Sequence, residues 1–105
     1  MKNIFRSFLH KKSLVDSKYK AYASELGETF LEEAKEVISE EKEMIKKLEE
    51  QKKSRNDSTE YQFLAGKSFA YYRIISIMQQ NAEALDIPLE NIKLQNINPD
   101  KDLVP

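Results

Sequence analysis

Between Thr59 and Asp86 the chain reads TEYQFLAGKSFAYYRIISIMQQNAEALD, without proline, and Tyr61, Leu64, Ser68, Tyr71, Ile75, Met78, Ala82 and Leu85 follow one another in steps of three and four. That spacing keeps side chains on one face of an α-helix, and the alternation a strand needs is absent. At about 100° per residue, Phe63, Ala70 and Ile74 fall on one flank of this seam and Ala65 and Tyr72 on the other, an arc wider than one neighbouring helix covers. Gln62, Gly66, Arg73, Ser76 and Gln80 remain for water, with Phe69 and Ile77 intruding among them. The stretch predicts a central helix over 59–86, packed on its own chain on one side and on a second surface on another.

A second stripe runs Tyr19, Ala23, Leu26, Phe30, Ala34, Val37, Glu41, Met44, Leu48. Its unbroken register predicts one long helix over 16–54. Gly27 is its weak point, since a glycine costs about 1 kcal/mol in a helix interior, and Thr29 with Glu32 reads as a capping box, but the helix is expected to continue through it, with room for a bend there. Glu25, Glu28, Glu32, Glu33, Glu36, Glu40 and Glu43, mixed with Lys35, Lys42, Lys46 and Lys47, form a solvated face, and Glu49 is spaced to pair with Lys53. Arg55 to Ser58 is the internal turn, with Asp57 and Glu60 as a capping box for the central helix. A short link makes the two helices antiparallel. Reflection about Asp57 sets Leu48 near Ala65 or Gly66, Val37 near Ile77 or Met78, and Glu41 near Tyr72 and Arg73.

The ends are less regular. Residues 1–12 interleave Ile4, Phe5, Phe8 and Leu9 with Lys2, Arg6, Lys11 and Lys12, which predicts a short amphipathic basic helix, with Ser13 and Asp16 starting the next element. Pro88 ends the central helix and opens one helical turn through Ile92; Pro99 and Pro105 leave the rest of 87–105 extended. This tail is too apolar for a solvated linker, so it should lie along the two helices or along a partner.

With 105 residues, two glycines, three prolines and abundant Lys and Glu, the chain is expected to form one all-α domain, a long antiparallel helical hairpin assembling into a helical bundle by coiled-coil-like pairing. Cysteine is absent, so disulfides and thiolate metal sites are excluded, which fits a reducing cytoplasm. The net charge of −1 argues against a general polyanion binder. No apolar run reaches the roughly 18 residues of a membrane span, and the N-terminus lacks the apolar core of a secretory signal.

Among residues that could carry chemistry, Glu32, Glu33 and Glu36 spell EExxE and Glu83 with Asp86 spells ExxD. This pattern resembles the carboxylate signature of the all-α nucleoside triphosphate pyrophosphatases of the MazG and dimeric dUTPase type, a resemblance that implies magnesium held between helices for attack on a phosphoanhydride. His10 is the sole histidine, so no His and Cys zinc site or Cys-His nucleophile can be built from one chain. AGKS at 65–68 lacks the upstream glycine and strand of a phosphate loop.

The leading expectation is therefore a non-enzymatic helical protein-protein interaction or adaptor protein that self-associates, a homodimer or the mate of a helical partner, with a composition suited to a bacterial or phage accessory protein. It assigns no catalytic, cofactor or metal residue and no small-molecule substrate; Phe63, Phe69, Tyr71, Tyr72, Arg73, Ile74 and Ile77 form the expected interface, because aromatic residues and Arg dominate such contacts. One alternative is a nucleic-acid-associated regulator that contacts its ligand through Lys2, Arg6, Lys11 and Lys12; the other is a magnesium-dependent nucleotide pyrophosphatase-like enzyme.

Overall fold

The computed structural model describes the backbone of residues 2–105 and the side chains of residues 17–105. Two long helices, α1 (Lys2–Glu50) and α2 (Thr59–Ala84), carry most of the chain. A turn of 3-10 helix at Arg55–Asp57 separates them; another at Leu89–Ile92 and a single turn, α3 (Pro99–Asp102), follow. No strand occurs among the described residues, and the fold is all-α. The molecule measures 75 × 18 × 16 Å, and its long axis is α1 itself, whose 49 residues span about 74 Å at the α-helical rise.

α1 differs from expectation at two places and agrees with it at a third. The helix is continuous over 13–16, where the sequence predicts a separate N-terminal segment to end and a new helix to begin. As expected, it is unbroken at Gly27, and the glycine has a use that its propensity does not reveal. A Cβ at Gly27 would lie 1.8 Å from the Ile92 carbonyl oxygen and 2.9 Å from its carbon; the tail crosses α1 at a distance that only a residue without a side chain permits. Finally, α1 stops at Glu50 rather than 54. The amide of Lys53 donates to the Leu48 carbonyl at 2.9 Å and that of Lys52 to Glu49 at 3.1 Å, a Schellman closure with Lys52 left-handed at φ 55°. Glu49 consequently meets Arg55, at 3.6 Å, rather than Lys53.

The same closure recurs twice. Ile87 donates to Ala82 and Asp86 to Glu83 at the end of α2, and Leu94 donates to Leu89 and Lys93 to Glu90 after the second 3-10 turn. Asp86 and Lys93 stand at φ 54° and 60°. At the start of α2 the cap is Ser58, whose hydroxyl accepts from the Tyr61 amide at 3.1 Å, and not Asp57, which belongs to the preceding 3-10 turn.

The long helices meet at Glu41 with Ser68 and at Glu33 with Tyr71, so partner numbers fall on α1 as they rise on α2. Glu41 thus lies about one turn from its expected place beside Tyr72 and Arg73. The cause is the early stop: the midpoint between the end of α1 and the start of α2 falls between residues 54 and 55, not at Asp57.

Apolar packing forms two clusters. The larger joins Ala34 and Ile38 of α1, Ile75 and Ala82 of α2, and Ile92, Leu94 and Leu103 of the tail; the smaller joins Met44, Leu48 and Leu64, with Tyr61 against them. The tail is therefore a third layer over the two helices, held by the expected turn through Ile92 and by α3, which stands where an extended segment was expected. Gln79 fixes it by donating to the carbonyls of Leu94 and Ile97 at 3.1 and 2.9 Å. Along α1 the stripe is buried from Ala34 to Leu48 and half-buried at Ala23, Leu26 and Phe30, but residues 17–22 are all exposed. There the cover thins to an open groove in which Tyr19 and Lys20 stand beside Ile87 and Asn91 of the tail.

The two glycines make opposite predictions. Gly27→Ala forces the Ile92 carbonyl away and should destabilise by about 1–3 kcal/mol, as overpacking does. Nothing lies within 4 Å of a Cβ at Gly66, so Gly66→Ala should stabilise by up to about 1 kcal/mol through helix propensity. Urea melts of both variants beside the parent check the pair; equal midpoints for all three would contradict the tail contact.

Candidate functional site

α2 sorts the expected interface residues onto different surfaces. Ser68 and Ile75 are buried against α1, and Tyr71, Tyr72 and Ile74 are half-buried. Phe63 and Phe69 are 67% and 62% exposed, and Ile77 and Arg73 are also exposed. The seven do not form one patch. Phe63, Ala70 and Ile77 recur every seventh residue with Ile74 beside them, while Phe69 stacks on Tyr72 one turn along the same face, ring centres 6.1 Å apart and planes 22° from parallel. Arg73 lies on the wet face between the two groups.

The flanks of the seam have different fates. On the Tyr72 side the tail supplies the second cover, the Tyr72 hydroxyl donating to Asp100 at 2.5 Å. On the other side Phe63 and Ile77 keep their exposure, with only the Lys67 ammonium 5.9 Å from the Phe63 ring centre. Isolated exposed apolar groups are ordinary; a strip repeating at heptad spacing on a helix is the pattern of a helix-pairing face.

Between the two apolar clusters sits a polar pair. Glu41 is 2% and Ser68 4% exposed, and the Ser68 hydroxyl lies 3.0 Å from each Glu41 carboxylate oxygen and 3.2 Å from the Ala65 carbonyl. A hydroxyl has one proton, so Ser68 serves at most one of these acceptors well at a time. Above the pair opens a groove of about 370 Å³, walled by Tyr61, Phe69 and Tyr72 and by Leu103, Val104 and Pro105 at the end of the chain. The spacing of Glu41 within an apolar stripe was the only signal for this site; the groove depends on the position of the tail, which no periodicity encodes.

The two acidic motifs are not gathered into one ligand set. Tyr71 faces Glu33, whereas Glu83 lies twelve residues farther along α2, about 18 Å at the helical rise. Among the described residues no three of His, Cys, Asp and Glu are grouped to hold a metal ion. Of the AGKS stretch, Lys67 is an exposed helix residue and Ser68 is buried against Glu41. Lys2, Arg6, Lys11, Lys12 and His10 lie outside the described side chains. No helix among the described residues is long and apolar enough to cross a membrane. No protein-family model matches this chain, and no curated protein or solved structure matches it.

Two tyrosines are tuned by the contacts that join the layers. The hydrogen bond to Glu33, followed by partial burial and the nearby acids, raises the pKa of Tyr71, and the bond to Asp100 with that residue's charge raises the pKa of Tyr72. A native phenol that holds its proton above the unfolded value of about 10 contributes stability that is complete below that pH and is lost as pH rises through the raised native value. Tyr72→Phe should therefore weaken tail docking at pH 7 and show a shallower alkaline loss of stability than the parent, read by urea melts at pH 8 and pH 11.

Removing one member of the polar pair should cost more than removing both. Ser68→Ala leaves a buried carboxylate without its donor and is expected to destabilise by about 1–3 kcal/mol. Glu41→Met combined with Ser68→Ala should recover most of that loss, since apolar replacement of a buried polar pair is often neutral or better. Denaturant melts of the single and double variants check this, and additive losses would refute it.

Proposed function

We propose that this chain is a non-enzymatic helical interaction protein, an antiparallel hairpin that pairs with a second copy of itself to complete a helical bundle. The observation that carries this reading is the strip of exposed Phe63, Ala70 and Ile77, with half-buried Ile74 beside them, on the side of α2 that neither α1 nor the tail covers. Water contact at Phe63 and Ile77 is unfavourable at about 25 cal/mol per Å² of apolar area, and a second helix set on the same strip removes it. Heptad spacing favours a long, shallowly crossing contact over a point contact. The absence of cysteine suits work in the cytoplasm.

Sedimentation equilibrium tests the proposal. The parent should dimerise reversibly, and the double variant Phe63→Glu with Ile77→Glu should stay monomeric. Because both side chains are exposed, each change should alter the stability of the single chain by no more than about 0.5 kcal/mol, so unchanged helicity separates lost pairing from lost folding. A parent that remains monomeric at its highest soluble concentration would overturn the reading.

A further inference from the structure

We propose that the groove over Glu41 is a binding site for a small primary alkylammonium ion. This goes beyond self-association and does not depend on it, since the groove lies on the Ala65 and Tyr72 flank of α2, away from the Phe63 and Ile77 strip. The first argument is the state of the carboxylate. Glu41 lines the groove yet is 2% exposed, and its two oxygens share the single proton of Ser68. A buried carboxylate is costly unless it is paired and well hydrogen-bonded, and one donor leaves most of its acceptor positions empty. The chain supplies no second donor from nearby. One turn to either side of Glu41 on its face of α1 stand Val37, Ile38, Met44 and Ile45, whose side chains cannot donate. Among the described residues no Lys or Arg lines the groove. Lys67, next to Ser68 in sequence, stands over the Phe63 ring instead, and Arg55 is engaged by Glu49 at 3.6 Å.

The chemistry of the groove selects among cations. An alkylammonium head carries three donors, and the floor offers three acceptors together: both Glu41 oxygens and, 3.0 Å from each, the Ser68 oxygen. A quaternary ammonium has no donor for them. A metal ion is disfavoured because, among the described residues, Glu41 is not grouped with other metal-ligating side chains. Above the floor, Ala65, Leu103 and Val104 form a wall for an alkyl chain, and the stacked Phe69 and Tyr72 supply aromatic surface of the kind that attracts a cation leaving water. Tyr61, on the same groove, already draws the Arg55 guanidinium to 5.7 Å from its ring centre. At about 370 Å³ the groove is near the small end of ligand sites, which suits a short aliphatic amine.

Titration of the isotope-labelled full chain with n-butylammonium chloride at constant ionic strength, followed by amide chemical shifts, tests the proposal. The amides of Glu41, Ala65, Ser68 and Leu103 should move together and saturate with a Kd of about 1 mM or tighter. 1-Butanol has the chain without the charge and tetramethylammonium the charge without donors; each should bind at least about tenfold more weakly. Glu41→Gln should weaken n-butylammonium by about tenfold or more, and Phe69→Ala, at an exposed position, by about two- to fivefold. A lysine side chain carries the same head, and Nα-acetyl-lysine methylamide should bind no more tightly than n-butylammonium; tighter binding would assign the groove to a protein side chain and overturn the small-amine reading. Shifts that are absent or fail to saturate, equal binding of 1-butanol, or unchanged affinity in Glu41→Gln would also overturn it, and none of these results bears on pairing through Phe63 and Ile77. Should Glu41→Gln fail to fold, Phe69→Ala decides in the same titration: weaker binding supports the site, and unchanged affinity refutes it.

Discussion

The Ile92 carbonyl stands where a side chain on α1 would otherwise be, and the rest of the packing depends on that approach. Because Gly27 leaves the space open, the tail comes close enough to α1 for Leu94 and Leu103 to be fully enclosed. Among the described residues these two and Ile75 are the largest fully buried side chains. Each enclosed leucine contributes about 1.5–3 kcal/mol of hydrophobic stabilisation, so the last twelve residues add about 3–6 kcal/mol to the core through these two side chains. Gln79, donating to two tail carbonyls, and Tyr72, donating to Asp100, keep the segment in register. The tail is a structural layer of this fold.

Legibility in the sequence followed the range of the interaction. Helix formation is local, and the seam of α2 and the stripe of α1 could be read from spacing alone, as could the surplus of apolar residues on α2. Gly27 was misleading because its reason lies 65 positions away; by local propensity it looks like a defect, and only the position of Ile92 turns it into a requirement. The end of α1 was hidden for a related reason. Helices commonly close on glycine, but here Lys52, Asp86 and Lys93 take the left-handed position, and nothing in those residue types announces a stop. One misplaced terminus then displaced the pairing of Glu41 by a turn. Leu94 and Leu103 lack a period because the segment carrying them is folded as separate turns.

The candidate surfaces show the same division. The exposure of Phe69 and Ile77 among polar neighbours was visible in the helical wheel, and the position of Glu41 within an apolar stripe marked it as unusual. That Tyr72 would be covered by its own tail, leaving Phe63 and Ile77 as the open flank, required the path of residues 87–105. Charge is likewise divided along the chain: residues 1–20 hold six cations against Asp16, a net +5, while the remaining eleven cations and seventeen acids give −6.

The polar pair has a consequence for how this molecule breathes. Glu41 and Ser68 interrupt the apolar seam, leaving Met44, Leu48, Leu64 and Tyr61 as a small island at the turn end, apart from the larger body that the tail encloses. An island of that size has little cooperative strength of its own, and such regions open at lower free energy than the core they adjoin. The turn end is thus the natural site of partial unfolding, in which α1 and α2 separate from residues 51–58 inward while the tail-clasped half remains closed. Amide protons near Leu48 and Leu64 would exchange through that local opening, and those around Ile75 only when the whole chain comes apart.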